Sequence, residues 1–295
     1  MSLFKGAGVA IVTPMNEDKT INYEQFEKNI EFQIKNNIDA IIVCGTTGES
    51  STLTDEEHIE VIRFCVDIVK KRKPVIAGTG SNDTAYATEL SKSAEEVGAD
   101  AVLLVTPYYN KTSQRGLVQH FKATAEAINI PTVLYNVPSR TGINIGIDTY
   151  KELAKCAKIV AVKEANGDIS HIMKVMDAVG GSLDIYSGND NIIVPMMSVG
   201  AVGVISVVAN ILPNETHNIC EAALAGDFKK ASDLQLKYLE LMDNLFIETN
   251  PIPIKAAMNL LGMGAGSMRL PLVDAEDKTV AILKQNLKDL GIVNA

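Results

Sequence analysis

The chain predicts a (β/α)8 TIM barrel, an α/β fold, with a C-terminal helical appendage. Three observations carry that expectation. About eight short β-rich runs recur along the chain: Gly8 to Thr13, Ala40 to Val43, Pro74 to Ala77, Ala101 to Val105, Thr132 to Tyr135, Ile159 to Val162, Leu183 to Tyr186 and Val202 to Val207. Most are continuous apolar runs, which is the pattern of parallel strands covered on both faces. Helical stripes separate them with no sign of a topological switch, which favours a closed barrel over an open doubly wound sheet.

The helices follow in order. Tyr23, Phe26, Ile30 and Ile34 share one face, as do Ile59, Ile62, Val66 and Val69, then Ala87, Leu90, Ala94 and Val97. Thr54 and Glu57 form a capping box, and Asp168 is placed to cap a helix beginning near Ile169. The basic run Lys70-Lys-Arg-Lys73 closes a helix, where cations complement the dipole. Val194 to Leu212 is uncharged and approaches the ~20 residues of a membrane span, but Pro195, Gly200, Gly203 and Asn210 break it into a short helix, a turn and a buried strand. Beyond the eighth strand the pattern is helical, with Phe228, Ala231, Leu234, Tyr238, Leu241 and Leu245 on one stripe and further segments from Pro253 and Glu276. The reading is a catalytic barrel over residues 1–225 and a helical extension over 226–295 packed on it, with the functional residues expected on the barrel.

Composition narrows the function. Hydrophobic residues at 46% and charged residues at 21% suit a globular chain with a large core and argue against disorder. A net charge of -9 opposes the basic footprint that nucleic acid requires. The opening Met1-Ser-Leu-Phe-Lys-Gly has no apolar stretch of the secretory kind, so a cytoplasmic location with no membrane partner is expected. Cys44, Cys65, Cys156 and Cys220 are scattered and read as buried free thiols. His58, His120, His171 and His217 are dispersed, so no metal site is expected, and neither a G-x-S-x-G elbow nor a complete phosphate-binding glycine motif is present. No cofactor is implied.

In a barrel of this kind the loops after the strands form the active face. Unusual residues concentrate there, in Gly45-Thr-Thr-Gly-Glu-Ser50, Thr106-Pro-Tyr-Tyr-Asn110, Tyr135-Asn-Val-Pro-Ser-Arg-Thr-Gly142, Lys163-Glu164 and Ser187-Gly-Asn-Asp190. Lys163 follows an apolar run directly and would project into a restricted cavity. A desolvated lysine can attack a carbonyl to give an imine, although position alone leaves a solvated loop lysine equally open. Tyr135 is placed to relay protons or to fill the core. Thr46 and Thr47, between glycines, suit a small carboxylate, and Arg140 offers a planar fork for a second one or is a surface residue.

These motifs, in this order and over nearly the whole chain, resemble the dihydrodipicolinate synthase family of pyruvate-dependent aldolases and lyases; Val162-Lys-Glu-Ala165 and Gly203-Val-Ile-Ser206 belong to the match. The resemblance implies condensation of pyruvate with L-aspartate 4-semialdehyde to 4-hydroxy-tetrahydrodipicolinate, the committed step toward diaminopimelate and lysine. Lys163 would form the imine, and Tyr135, Thr47 and Tyr109 would make a proton relay with Tyr109 reaching in from a neighbouring subunit. Thr46 and Thr47 would hold the pyruvate carboxylate and Arg140 that of the semialdehyde, while Gly188 and Ile205 would line the pocket through their backbones. A homotetramer, a dimer of dimers, is implied.

Two rival readings remain open on the sequence: a sister lyase for N-acetylneuraminate or a 2-keto-3-deoxy sugar acid, and a catalytically silent barrel that binds a small acid. Arg140 argues against the first and the intact Lys163, Tyr135, Thr47 and Tyr109 against the second. The resemblance also implies a degenerate site for lysine as an effector. Ser50, His58, Asn82 and Tyr108 match it, whereas Asp55 stands in place of histidine and Tyr86 in place of a glutamate that pairs with the effector's ammonium group.

Overall fold

The computed structural model describes residues 2–292. Its strands are β1 (Gly6–Ala10), β2 (Ala40–Val43), β3 (Val75–Gly78), β4 (Ala101–Val105), β5 (Thr132–Asn136), β6 (Ile159–Glu164), β7 (Asp184–Ser187) and β8 (Gly203–Ser206). They pair in parallel in chain order, and β8 closes on β1 through Gly6↔Gly203 to Val9↔Ser206. The expected closed barrel is therefore present. Helices α1 (Tyr23–Lys35), α2 (Asp55–Val69), α3 (Thr84–Glu96) and α4 (Gln114–Glu126) follow the first four strands. Next come α5 (Pro138–Thr141), α6 (Ile147–Leu153), α7 (Ile169–Val179), α8 (Ile193–Ser198) and α9 (Pro213–Leu224), and then α10 (Phe228–Asn244), α11 (Ile252–Leu260) and α12 (Asp277–Asp289).

Local chemistry explains the element ends. The capping box at Thr54 and Glu57 opens α2, and the Asp168 carboxylate accepts from the Ser170 and His171 amides to open α7. Two strand boundaries differ from the apolar runs. β1 starts earlier than Gly8 and leaves the sheet before Thr13, because the Val12 amide donates to the Asn210 side chain at 3.1 Å instead of to a strand. β6 continues past Val162, so Lys163 and Glu164 lie inside the strand and not after it. The uncharged stretch from Val194 resolves into α8, a turn and β8. Among the described residues no helix is long and apolar enough to cross a membrane.

Alternation along the strands divides the core in two. Ile42, Ile76, Leu103, Val133 and Ile205 face the barrel interior, while Ile41, Leu104, Leu134 and Val162 pack outward under the helices. At the N-terminal end of the barrel Phe4 stacks on Tyr186 at 4.3 Å, and the Tyr186 hydroxyl donates to the Phe4 carbonyl at 2.7 Å. This aromatic pair packs into the interior at that end, and the loops with the polar motifs lie at the opposite mouth. All four cysteines are free and buried.

The C-terminal helices are fastened to the mouth by charge. Lys255 on α11 and Glu49 in the β2 loop are both completely buried and meet at 2.7 Å. The ammonium also donates to the carbonyls of Thr13 at 3.2 Å and Ser267 at 2.8 Å, while the second Glu49 oxygen accepts from the Arg269 amide at 3.2 Å. Burial drives the Lys255 amine below its usual range and the Glu49 carboxylate opposes it. Exposed ion pairs contribute about 0 to 1 kcal/mol, whereas removing one partner of a buried pair costs about 3 to 5 kcal/mol because the other charge is stranded. Arg269 adds a bidentate grip on Glu57, at 2.5 and 2.6 Å.

Candidate active site

Register and parity bring the central pair together. β5 and β6 align Tyr135 with Lys163, and β6 and β7 align Lys163 with Tyr186. Since Ala161 faces the interior, Lys163 does too, while Val162 and Glu164 turn outward. Lys163 Nζ sits 4.4 Å from the centre of the Tyr135 ring, and the two residues are 6% and 8% exposed. Lys163 is thus a buried residue of the strand, not a solvated residue of a loop.

Two carboxylates brace this tip without entering the cavity. Glu164 accepts from Asn136 Nδ2 at 2.9 and 3.1 Å, from the Tyr150 hydroxyl at 2.7 Å and from the Asn166 amide at 2.8 Å. Its desolvation raises the carboxyl pKa and those donors pull it back, so a buried acid is held as a four-way tie between β5, β6, α6 and the β6 loop. Asp190, after β7, accepts from the Val207 and Val208 amides at 3.0 and 2.8 Å. Burial pushes its pKa upward against hydrogen bonds from Ser206 and both amides. It fixes the chain leaving β8. The sequence shows both acids beside the motifs, but nothing in their spacing reveals that they are braces.

The mouth opens into a cavity of about 580 Å³ lined by Thr46, Thr47, Tyr135, Val137, Ser139, Arg140, Lys163, Ala165, Gly188, Asn189 and Val207 from the barrel. The β2 loop that carries the threonines is tightly wound, with Cys44 and Glu49 at φ 54° and 55°. A Cβ on Gly78 would lie 2.2 Å from the Cys44 carbonyl, so only glycine allows β3 to approach that loop. Arg140 lies on the short helix α5, not in an open loop, and its Nη2 donates to the Asn250 carbonyl at 3.1 Å.

Phe246, Ile247, Glu248, Thr249 and Asn250 complete the wall. This corrects the expectation that the C-terminal extension lies apart from function. Asn250 Nδ2 donates to Thr47 Oγ1 at 3.0 Å, which ties the extension to the threonine loop. The only sequence signal was the break in helical periodicity at Asn250-Pro-Ile-Pro253, which marks an interruption but not its destination.

Two expected residues lie outside this cavity's lining. Ile205 is fully buried in β8, and Val207 takes the wall position beside it. Tyr109 is 90% exposed and held at φ 67°, a left-handed conformation uncommon for a bulky residue. A second cavity of about 380 Å³ lies on the other side of Thr46 and Arg140, with Ser50, His58, Tyr86 and Tyr108 in its wall. There Tyr86 donates to Asp55 at 2.6 Å, and its hydroxyl is pushed up to about 12 by burial and by that carboxylate. His58 Nε2 meets the Gly78 carbonyl at 2.8 Å and burial lowers its pKa. Asp55 and Asn82 do not line the cavity; the Asn82 carbonyl accepts from Asn110. Among the described residues no group of three or more His, Cys, Asp or Glu is placed to hold a metal.

A closed parallel barrel with a buried lysine at its mouth defines the chain as a (β/α)8 barrel of the lysine-aldolase type. The dihydrodipicolinate synthetase family model matches residues 3–290, and the chain belongs to that family. It is 57% identical over 291 residues to the 4-hydroxy-tetrahydrodipicolinate synthase of Clostridium perfringens, covering 99% of this chain and 100% of that one. Among solved structures it is similar to the chloride-inhibited dihydrodipicolinate synthase of Acinetobacter baumannii complexed with pyruvate, at TM-score 0.95 and 45% identity over 98% of this chain and 99% of that one. The synthase of Cyanidioschyzon merolae with lysine bound superposes at TM-score 0.96, with 38% identity over 99% of this chain and 100% of that one.

Proposed function

We infer that this chain condenses pyruvate with L-aspartate 4-semialdehyde to give 4-hydroxy-tetrahydrodipicolinate, a lyase reaction of lysine and diaminopimelate biosynthesis. The single observation that carries the reading beyond family membership is the buried Lys163 beside Tyr135 at the mouth of the barrel. Its amine attacks the pyruvate carbonyl, water leaves, and the imine draws electrons from the methyl carbon so that a proton is lost there. The resulting enamine carbon attacks the semialdehyde carbonyl. The semialdehyde amine then displaces Lys163 from the imine carbon, which closes the ring and frees the enzyme. No organic cofactor or metal is needed, because the lysine imine is the electron sink.

The other roles follow the cavity wall. Thr46 and Thr47 receive the pyruvate carboxylate, with Gly188 and the end of β8 at Ile205 behind it. Tyr135 and Thr47 pass the protons. Arg140 faces the same space and suits the semialdehyde carboxylate, which favours this substrate over a neutral sugar chain. Residues 1–225 and 226–295 act as one catalytic unit, joined by the buried Glu49–Lys255 pair and completed by Asn250. The biosynthetic role and the buried free thiols suit a cytoplasmic enzyme.

Tyr109 completes the relay from a partner subunit within a homotetramer built as a dimer of dimers. Its support is geometric: a tyrosine turned outward in a left-handed conformation is placed to leave its own barrel. The second cavity is a degenerate effector site. Tyr86 occupies the place of a charged partner and brings no charge of its own, and Asp55, which accepts from its hydroxyl, lies outside the cavity wall.

Arg140→Ala is expected to lower kcat/KM for the semialdehyde by about ten- to a hundredfold, the worth of a charged hydrogen bond, while adduct formation with pyruvate changes little. Equal loss for both substrates contradicts the role. Tyr109→Phe and Lys163→Ala are each impaired alone, and mixed subunits regain part of the activity once exchange is verified by mass; no regain rules out the shared site. Loss of a buried charge partner costs about 2 to 5 kcal/mol, or roughly thirty- to several-thousandfold in affinity, so a steady-state titration with millimolar lysine leaves the rate nearly unchanged. Tyr86→Glu, alone or with Asp55→His, increases sensitivity, and strong inhibition of the unaltered enzyme refutes the assignment.

A further inference from the structure

Asn250 comes from the C-terminal extension, yet it is 5% exposed and lines the cavity at the barrel mouth. Its side-chain amide donates to Thr47 Oγ1 at 3.0 Å, and its backbone carbonyl accepts from Arg140 Nη2 at 3.1 Å. Its Oδ1 is buried without a partner among the described residues, so the side chain is aimed at Thr47 with its own acceptor left unused.

We propose that Asn250 is a positioning residue that gives the Thr47 hydroxyl its direction as a proton carrier. A threonine hydroxyl has one proton to donate and two lone pairs. The Asn250 N–H takes one lone pair, which turns the hydroxyl proton away from Asn250 and leaves the second lone pair open. Thr47 and Tyr135 line the same cavity as Lys163, the space in which the proposed relay moves protons. A relay needs that state, in which one atom gives a proton and takes another. An acceptor at position 250 would do the reverse and capture the Thr47 proton. This assignment rests on the reading above in which Thr47 carries protons.

Asn250→Asp keeps the size and reverses the polarity, because a carboxylate only accepts. Its kcat is expected to fall about a hundredfold, whereas Asn250→Ala, which removes the constraint without capturing the proton, falls by less than about tenfold. The deficit of Asn250→Asp relative to the unaltered enzyme shrinks as pH falls, because a protonated carboxyl can donate to Thr47 again. Merely filling space predicts the opposite order and a flat ratio with pH, and either result overturns the proposal. A second test does not depend on the aspartate variant folding. If Asn250 acts through Thr47, Asn250→Ala costs nothing further in kcat in a Thr47→Val background, and additive losses contradict it. Borohydride trapping of pyruvate on Lys163 is retained in each Asn250 variant; loss of trapping in the variants alone means Asn250 shapes the pocket and overturns the proposal. No trapping in the unaltered enzyme overturns the imine reading instead.

Discussion

The buried pair of Glu49 and Lys255 joins what the chain order separates. Glu49 follows the two threonines of the β2 loop, and Lys255 follows the Phe246–Asn250 segment that forms the facing wall. Both charges are out of water, so each is tolerable only while the other is in place, with the carbonyls of Thr13 and Ser267 taking the remaining protons of the ammonium. The wall of the cavity is therefore not a loop laid over a finished barrel. Its position is set by the same contact that holds the threonines.

Inside that frame, parity does the rest. A parallel strand sends successive side chains to opposite faces, so one strand supplies Lys163 to the interior and Glu164 to the layer beneath the helices. Glu164 is then free to brace β5 through Asn136 and α6 through Tyr150. Asp190 performs the matching task for the end of β8. The residues that touch the cavity and those that hold them are adjacent in sequence and opposite in direction.

The sequence made the barrel legible because strands covered on both faces are written as apolar runs, and because helical stripes recur between them. It also located the mouth, since Gly45 to Ser50, Tyr135 to Gly142 and Lys163 break those runs with polar residues. The same signal failed where it ends. The apolar run of β6 stops at Val162 because Lys163 and Glu164 are not apolar, although both are strand residues. Phe246 to Asn250 has no period and no motif of its own, and its place in the cavity comes from tertiary contacts to Thr47 and Arg140 that lie far away in sequence. The outward turn of Tyr109 was likewise invisible as geometry, since a positive φ at tyrosine leaves no mark in composition.

The central claim is that Lys163, buried against Tyr135, is the amine that captures the first substrate. Reduction with borohydride in the presence of pyruvate, followed by mass mapping of the modified peptide, tests it most directly. The account predicts one pyruvate-derived adduct per chain, on Lys163 and absent without reductant. An adduct on another lysine, Lys255 included, or none at all, would contradict it.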